Sequence, residues 1–188
     1  MGTTTFSGPL ASTSGFHSGK SLTTGAGTGI TTGTDTVTTS QIVKVGNIIT
    51  TYIYIDMDGL ESSTTLLDII GVNDAANCHL GQITVADCGI VFGGSMACLE
   101  TPAGGVADID LYSATVATGT ENVDVSTLVE TELVAAAAVW VEGTAPRAFS
   151  LSPPANGYLY LTVGIAGTAA EYSAGKFLIE LYGYEAIA

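Results

Sequence analysis

The chain has 188 residues, 46% of them hydrophobic and only 12% charged, and 18 acidic side chains against four basic ones leave it at a net charge of −14. That is enough apolar material for one core, and the low-hydrophobicity signature of disorder does not apply. Lys20, Lys44, Arg147 and Lys176 are too few and too scattered to form the basic stripe that phosphate binding requires, which argues against a nucleic-acid partner and for a protein partner with a basic or neutral patch.

Residues 1–40 are dominated by Thr, Ser and Gly with isolated apolar residues, and form no core of their own. Two readings compete, a flexible tail with no fixed contact and, favoured here, an extended arm whose anchors would be Phe6, Pro9, Leu10, Phe16 and Ile30, ordered by lying on a neighbour's sheet edge. The start, Met1 to Leu10, has neither a basic nor an apolar stretch of the secretory kind, so no signal peptide is expected. Gly15-Phe-His-Ser-Gly-Lys20-Ser21 resembles a phosphate-binding loop. Ser14 stands where the first glycine belongs, no apolar strand precedes it, and the following residues cannot make the required helix. Gly25-Ala-Gly27-Thr-Gly29 has the wrong spacing for a dinucleotide loop and lacks its strand and helix.

From Gln41 the pattern becomes one of strands, and residues 41–188 read as a single domain. Ile42, Val43 and Val45, then Ile48 to Ile55, flank Gly46-Asn47 as a hairpin, with Thr50, Tyr52 and Tyr54 on one face and Thr51, Ile53 and Ile55 on the other. Further short strands are expected over residues 66–72, 82–85, 89–92, 97–100 and 108–114, separated by turn residues. A helix is expected from Val125 to Ala138, where Leu128, Val129, Leu133 and Val134 recur at helical spacing ahead of Gly143 and Pro146. Strands return over 147–151, 158–165 and 176–184. The longest apolar run, Leu133 to Val141, has nine residues against the roughly 20 that span a bilayer, so no membrane partner is expected. The fold class is therefore all-β, a β-sandwich or jelly-roll-like domain with an extended N-terminal arm and one short helix.

Chemistry is sparse in this pattern. Cys78, Cys88 and Cys98 show no Cys-x-x-Cys spacing, and with only His17 and His79 as histidines they read as buried reduced thiols and not a zinc site. Gly93-Gly-Ser95-Met-Ala97 is close to a nucleophile elbow, but no histidine follows it, and a tight turn is the simpler reading. Asp56, Asp58 and Glu61 surround a glycine turn and are weak calcium candidates, lacking the regular ligand series of a calcium loop. Asp108 and Asp110 share a strand face and read as a solvated acidic patch. No cofactor, metal or catalytic residue is assigned, and the chain is read as non-enzymatic.

Four blocks carry a resemblance: Ala97-Cys-Leu-Glu-Thr-Pro-Ala-Gly-Gly, Ala107-Asp-Ile-Asp-Leu-Tyr-Ser-Ala-Thr, Pro154-Ala-Asn-Gly-Tyr-Leu-Tyr-Leu and Ala174-Gly-Lys-Phe-Leu-Ile-Glu-Leu-Tyr-Gly-Tyr184. In this order, over about residues 42–185, they resemble a family of virion structural proteins of tailed phages, many of them marine, and the opening TTTFSGPL is similar to the start of such proteins. The resemblance implies a capsid decoration or cement protein on the exterior of the virion, made in the bacterial host cytoplasm. Its partner would be the major capsid protein, and it would act as a homo-oligomer, with a trimer expected from capsid symmetry. A head fibre or adhesion module binding host glycans around Tyr52 and Tyr54, or a tail or neck protein, is the alternative.

Overall fold

Alternating β-branched and aromatic residues favour pleated strands packed on one face, and the longest such runs form the largest sheet. The computed structural model describes residues 20–135 and 138–185, so Phe6, Pro9, Leu10 and Phe16 lie outside the described residues. Strand β1 (Val37–Val45) and β2 (Ile48–Asp56) form the expected hairpin, with Val45 opposite Ile48. Gly46, at φ +60°, takes the first position of the two-residue turn, where a hairpin matching the strand twist favours a residue without Cβ. In chain order follow β3 (Glu61–Ser62), β4 (Ile90–Ala103), β5 (Ile109–Ala114), β6 (Glu130–Val134), β7 (Arg147–Ala148), β8 (Tyr158–Val163), β9 (Ala170–Glu171) and β10 (Ala174–Tyr184).

The protein is all-β and antiparallel: one sheet in the order β1-β2-β10-β4-β7, one in the order β6-β5-β8, and the small β3-β9 pair. β10 lies between β2 and β4. Its Phe177, Ile179 and Leu181 point into the core while Leu178, Glu180 and Tyr182 face outward, half-buried. β2 repeats the pattern, burying Thr51, Ile53 and Ile55 and turning Tyr52 and Tyr54 outward. The inward rows meet Ile109, Leu111, Leu159, Leu161 and Val163 of the second sheet in one buried cluster. Trp140 ties the sheets together: its ring packs edge-on against Phe177 at 5.4 Å, and its Nε1–H donates to the Ile109 carbonyl at 2.8 Å.

Several sequence expectations are corrected. Among the described residues of 125–138 no α-helix forms. Val125–Leu128 is a single 3-10 turn, capped by the Asp124 carboxylate accepting from the Ser126 N–H, and Val129 is left-handed at φ +57°. Residues 130–134 then pair with β5 as β6, so the open hydrogen-bonding edge of β5 outweighs a helical spacing that Leu133 and Val134 satisfy equally well as buried strand residues. The strands expected at 89–92 and 97–100 are one strand, β4, running straight through the expected turn at Gly93-Gly94. A Cβ at Gly94 would stand 2.3 Å from the Glu180 carbonyl oxygen and 2.5 Å from the Phe149 ring, so glycine serves close approach there and not chain reversal. The segment at 66–72 forms isolated bridges instead of a strand, and that at 82–85 gives one bridge at Gln82 before a short helix, Val85–Cys88, begins. Left-handed Leu67 interrupts the first, and Ile69 and Gln82 add single rungs to the outer edge of β8 opposite Thr162 and Tyr158.

Residues 20–40, read from the sequence as part of the arm, pack on the domain. Ile42 N–H bonds to the Lys20 carbonyl at 2.8 Å, and Ile30, in the short helix α1 (Thr28–Thr31), is fully buried in the chain's own core and is not a free anchor. The glycines make that packing possible. Gly27 N–H donates to the His79 carbonyl at 2.8 Å, and a Cβ at Gly29 would stand 2.4 Å from the Cys78 Sγ and 2.6 Å from the Ala76 carbonyl. Gly29→Val should therefore destabilise the fold by about 1–3 kcal/mol in urea denaturation, as overpacking does. An unchanged midpoint would return this stretch to the arm.

Candidate interaction surface on the five-stranded sheet

The pleat that buries one face of the five-stranded sheet sends the alternate residues outward, and strand register lines them up in rows. Thr39, Tyr54, Leu178 and Ala97 form one row across β1, β2, β10 and β4, and Gln41, Tyr52, Glu180 and Ser95 form the next. Thr39, Gln41, Tyr52, Tyr54 and Leu178 line a shallow trough of about 320 Å³. An outward face normally alternates to polar residues, so tyrosines and a leucine here make it a candidate contact surface.

A polar network borders the trough. Lys176 lies 2.6 Å from the Glu100 carboxylate and 3.5 Å from that of Asp56. The hydrogen bond from Lys176 holds the Glu100 carboxyl below its ordinary range and raises the lysine in turn. Partial burial and the Asp56 charge push the Tyr54 phenol up. Tyr182 donates to Glu180 at 2.5 Å, which raises its own pKa, and the Ser95 hydroxyl lies 3.4 Å from the Tyr182 oxygen. Hydroxyls, carboxylates and flat rings suit adhesion to a cationic or polar surface.

Every basic side chain is engaged within the chain. Lys20 sits 2.9 Å from Asp87, Lys44 reaches Glu185, Lys176 bridges Glu100 and Asp56, and the Arg147 guanidinium lies 3.8 Å above the Trp140 ring while donating to the Ala138 carbonyl. Asp87 is buried, which alone would raise its carboxyl, but hydrogen bonds from the Thr23 backbone, Lys20 and the Thr23 hydroxyl outweigh that and hold it below the usual range. The acidic excess is consequently uncompensated at the surface.

The sequence-derived candidates are dispersed. Asp56, at the end of β2, faces Lys176; the Asp58 N–H points back to it at 3.4 Å; Glu61 belongs to β3. Among the described residues no group of three or more His, Cys, Asp or Glu side chains is placed to hold a metal ion. Ser95 is a mid-strand residue whose pairing partner is Glu180. Asp108 and Asp110 are both buried, contrary to the solvated patch expected, because Trp140 lies along their strand, its N–H on the Ala107 carbonyl, and both carboxylates close on Gly164. Burial raises the Asp108 carboxyl, whose Oδ1 has no hydrogen-bond partner. The three cysteines are buried and free; burial pushes the Cys78 thiol up to about 12. A row the sequence reading missed is Val45, Ile48, Tyr184 and Ile90, all exposed at one end of this face. Its signal was apolar residues on the side of each strand that the core does not use.

No model of a known family, no curated protein and no solved structure matches the chain.

His79 is buried 4.9 Å from the Tyr158 ring with its Nδ1 unpartnered, and burial lowers its pKa from the usual 6.5. The unfolded chain therefore binds this proton more readily than the folded one, so the contribution of neutral His79 is complete above the unfolded value and is lost as pH falls below it. Urea denaturation from about pH 7 to about pH 5 should show a steeper loss of stability in the wild type than in His79→Gln. Parallel slopes would mean that the imidazole charges without cost.

Proposed function

We propose that the protein is a non-enzymatic structural component of a tailed-phage particle, a decoration or cement protein that adheres to the outer surface of the head as a homo-oligomer. The observation that carries the reading is the outward face of the five-stranded sheet. It is broad, lined by Tyr52, Tyr54, Leu178 and Tyr182, bordered by Asp56, Glu100 and Glu180, and set in a chain whose few cations are all internally engaged. Such a face favours a neutral or basic protein surface and repels nucleic acid. Supporting it are the resemblance of the four sequence blocks and the Thr-rich start, whose Phe6, Pro9, Leu10 and Phe16 are the anchors proposed for a neighbouring subunit. Many weak contacts repeated over an oligomer then sum to a stable attachment.

The trough also favours a second reading. Tyrosine rings beside Gln41 and Thr39 make a platform on which a sugar ring can stack, as a head fibre or adhesion module would need.

Heads purified without the protein test both. Deleting residues 1–19, and separately changing Tyr52→Ala with Tyr54→Ala, should leave a folded protein that binds those heads at least about tenfold more weakly. Wild-type binding by both variants would overturn the reading, and specific retention on a glycan array, lost in the tyrosine variant, would favour the adhesion module.

A further inference from the structure

At the end of the five-stranded sheet remote from Asp56, four adjacent strands each turn a large apolar residue outward. Val45 pairs with Ile48, Ile48 with Tyr184, and Tyr184 with Ile90. They are 74%, 52%, 41% and 41% exposed, and Phe92, 55% exposed at the β4 irregularity, brings its ring to 6.2 Å from that of Tyr184. A contiguous group of five such side chains is larger than the scattered apolar residues an ordinary surface carries.

The charge around this group differs from that of the rest of the molecule. The row itself and the one beside it, Val43, Thr50, Tyr182 and Gly93, carry no charged side chain, and the nearest charge on this face is Glu180 in the row beyond. Lys44 and Glu185 pair with each other on the opposite side of the sheet, beside Ile42 and Ile49. The chain as a whole carries 18 acidic residues against 4 basic ones, a net charge of −14. A second copy of so acidic a chain is repelled almost everywhere, and at this end it is not. A cationic partner, by contrast, is drawn to the acidic remainder and gains nothing from a neutral apolar end.

We infer that this end of the sheet, formed by Val45, Ile48, Ile90, Phe92 and Tyr184, is the surface through which the chain binds a second copy of itself. The inference gives a location to the homo-oligomer of the reading above and rests on it in that respect alone; it requires nothing of a phage head.

Sedimentation velocity of the full chain over about 1–100 µM tests it without any particle. Wild type should form an oligomer in a concentration-dependent manner. Ile48→Ser combined with Phe92→Ser should raise the dissociation constant at least about tenfold, as loss of central apolar contacts does. Val45→Ser, at the most exposed of the five positions, should weaken it with an unchanged circular dichroism spectrum, which separates loss of contact from loss of fold. Val37→Ser, an exposed apolar position at the opposite end of β1, should leave it unaltered. A monomer at every concentration, which includes the case where residues 1–19 of the same chain cover this end, would overturn the inference. So would oligomers indifferent to the Ile48, Phe92 and Val45 changes, or equally sensitive to Val37→Ser. Failure of head binding with self-association intact would count against the proposed function and not against this surface.

Discussion

The pairing of β10 with β2 on one side and β4 on the other is the constraint on which the rest of the structure depends. Because side chains alternate across a strand, one eleven-residue segment supplies both the deepest part of the core and the centre of the outward face. Phe177, Ile179 and Leu181 lie opposite Ile55, Ile53 and Thr51, and Leu178, Glu180 and Tyr182 lie opposite Tyr54, Tyr52 and Thr50. A one-residue slip of register would exchange these rows, placing Glu180 in the core and Phe177 in water. Core packing therefore fixes the arrangement of the surface rows, and Trp140 transmits that constraint to the second sheet through Phe177 and Ile109.

Close backbone approach is the second organising theme, and it explains where the sequence was hardest to read. Period-two alternation with β-branched and aromatic residues made β2 and β10 legible together with their faces, because the pattern is local, while β1 was legible only from Gln41 and begins at Val37. The glycines at 27, 29 and 94 were not legible in the same way. Glycine fits a flexible arm, a turn or a tight contact alike, and only the positions of Asn77, Cys78, Glu180 and Phe149, distant in sequence, show that contact is the reason here. The segment 125–138 failed for a related cause. Its apolar spacing suits a helix or an edge strand, and β5, with an unpaired edge, decided between them.

Of the surface, the tyrosine rows could be read from β2 alone, whereas the apolar end could not. Val45, Ile48, Ile90 and Tyr184 come from four strands separated by as many as 139 residues, and they adjoin only through register. The charge pattern is likewise a product of the fold. Composition shows a large acidic excess, but not that two outward rows at one end of the sheet hold no charge while Lys20 and Lys44 gather with Asp87 and Glu185 on its other side and Arg147 is spent on Trp140. The molecule thus combines a neutral apolar zone with an acidic, tyrosine-lined one on a single sheet, an arrangement suited to joining like copies at one zone and an unlike partner at the other.

A reconstruction by electron cryo-microscopy of tailed-phage heads carrying the protein tests this account most directly. The account predicts density for the all-β domain on the outside of the shell in symmetric groups, with the row Val45–Ile48–Tyr184–Ile90 between copies and the Tyr52–Tyr54 face or residues 1–19 against the capsid subunits. Heads bare of the domain, or a domain seated with its five-stranded sheet turned wholly to solvent, would contradict it.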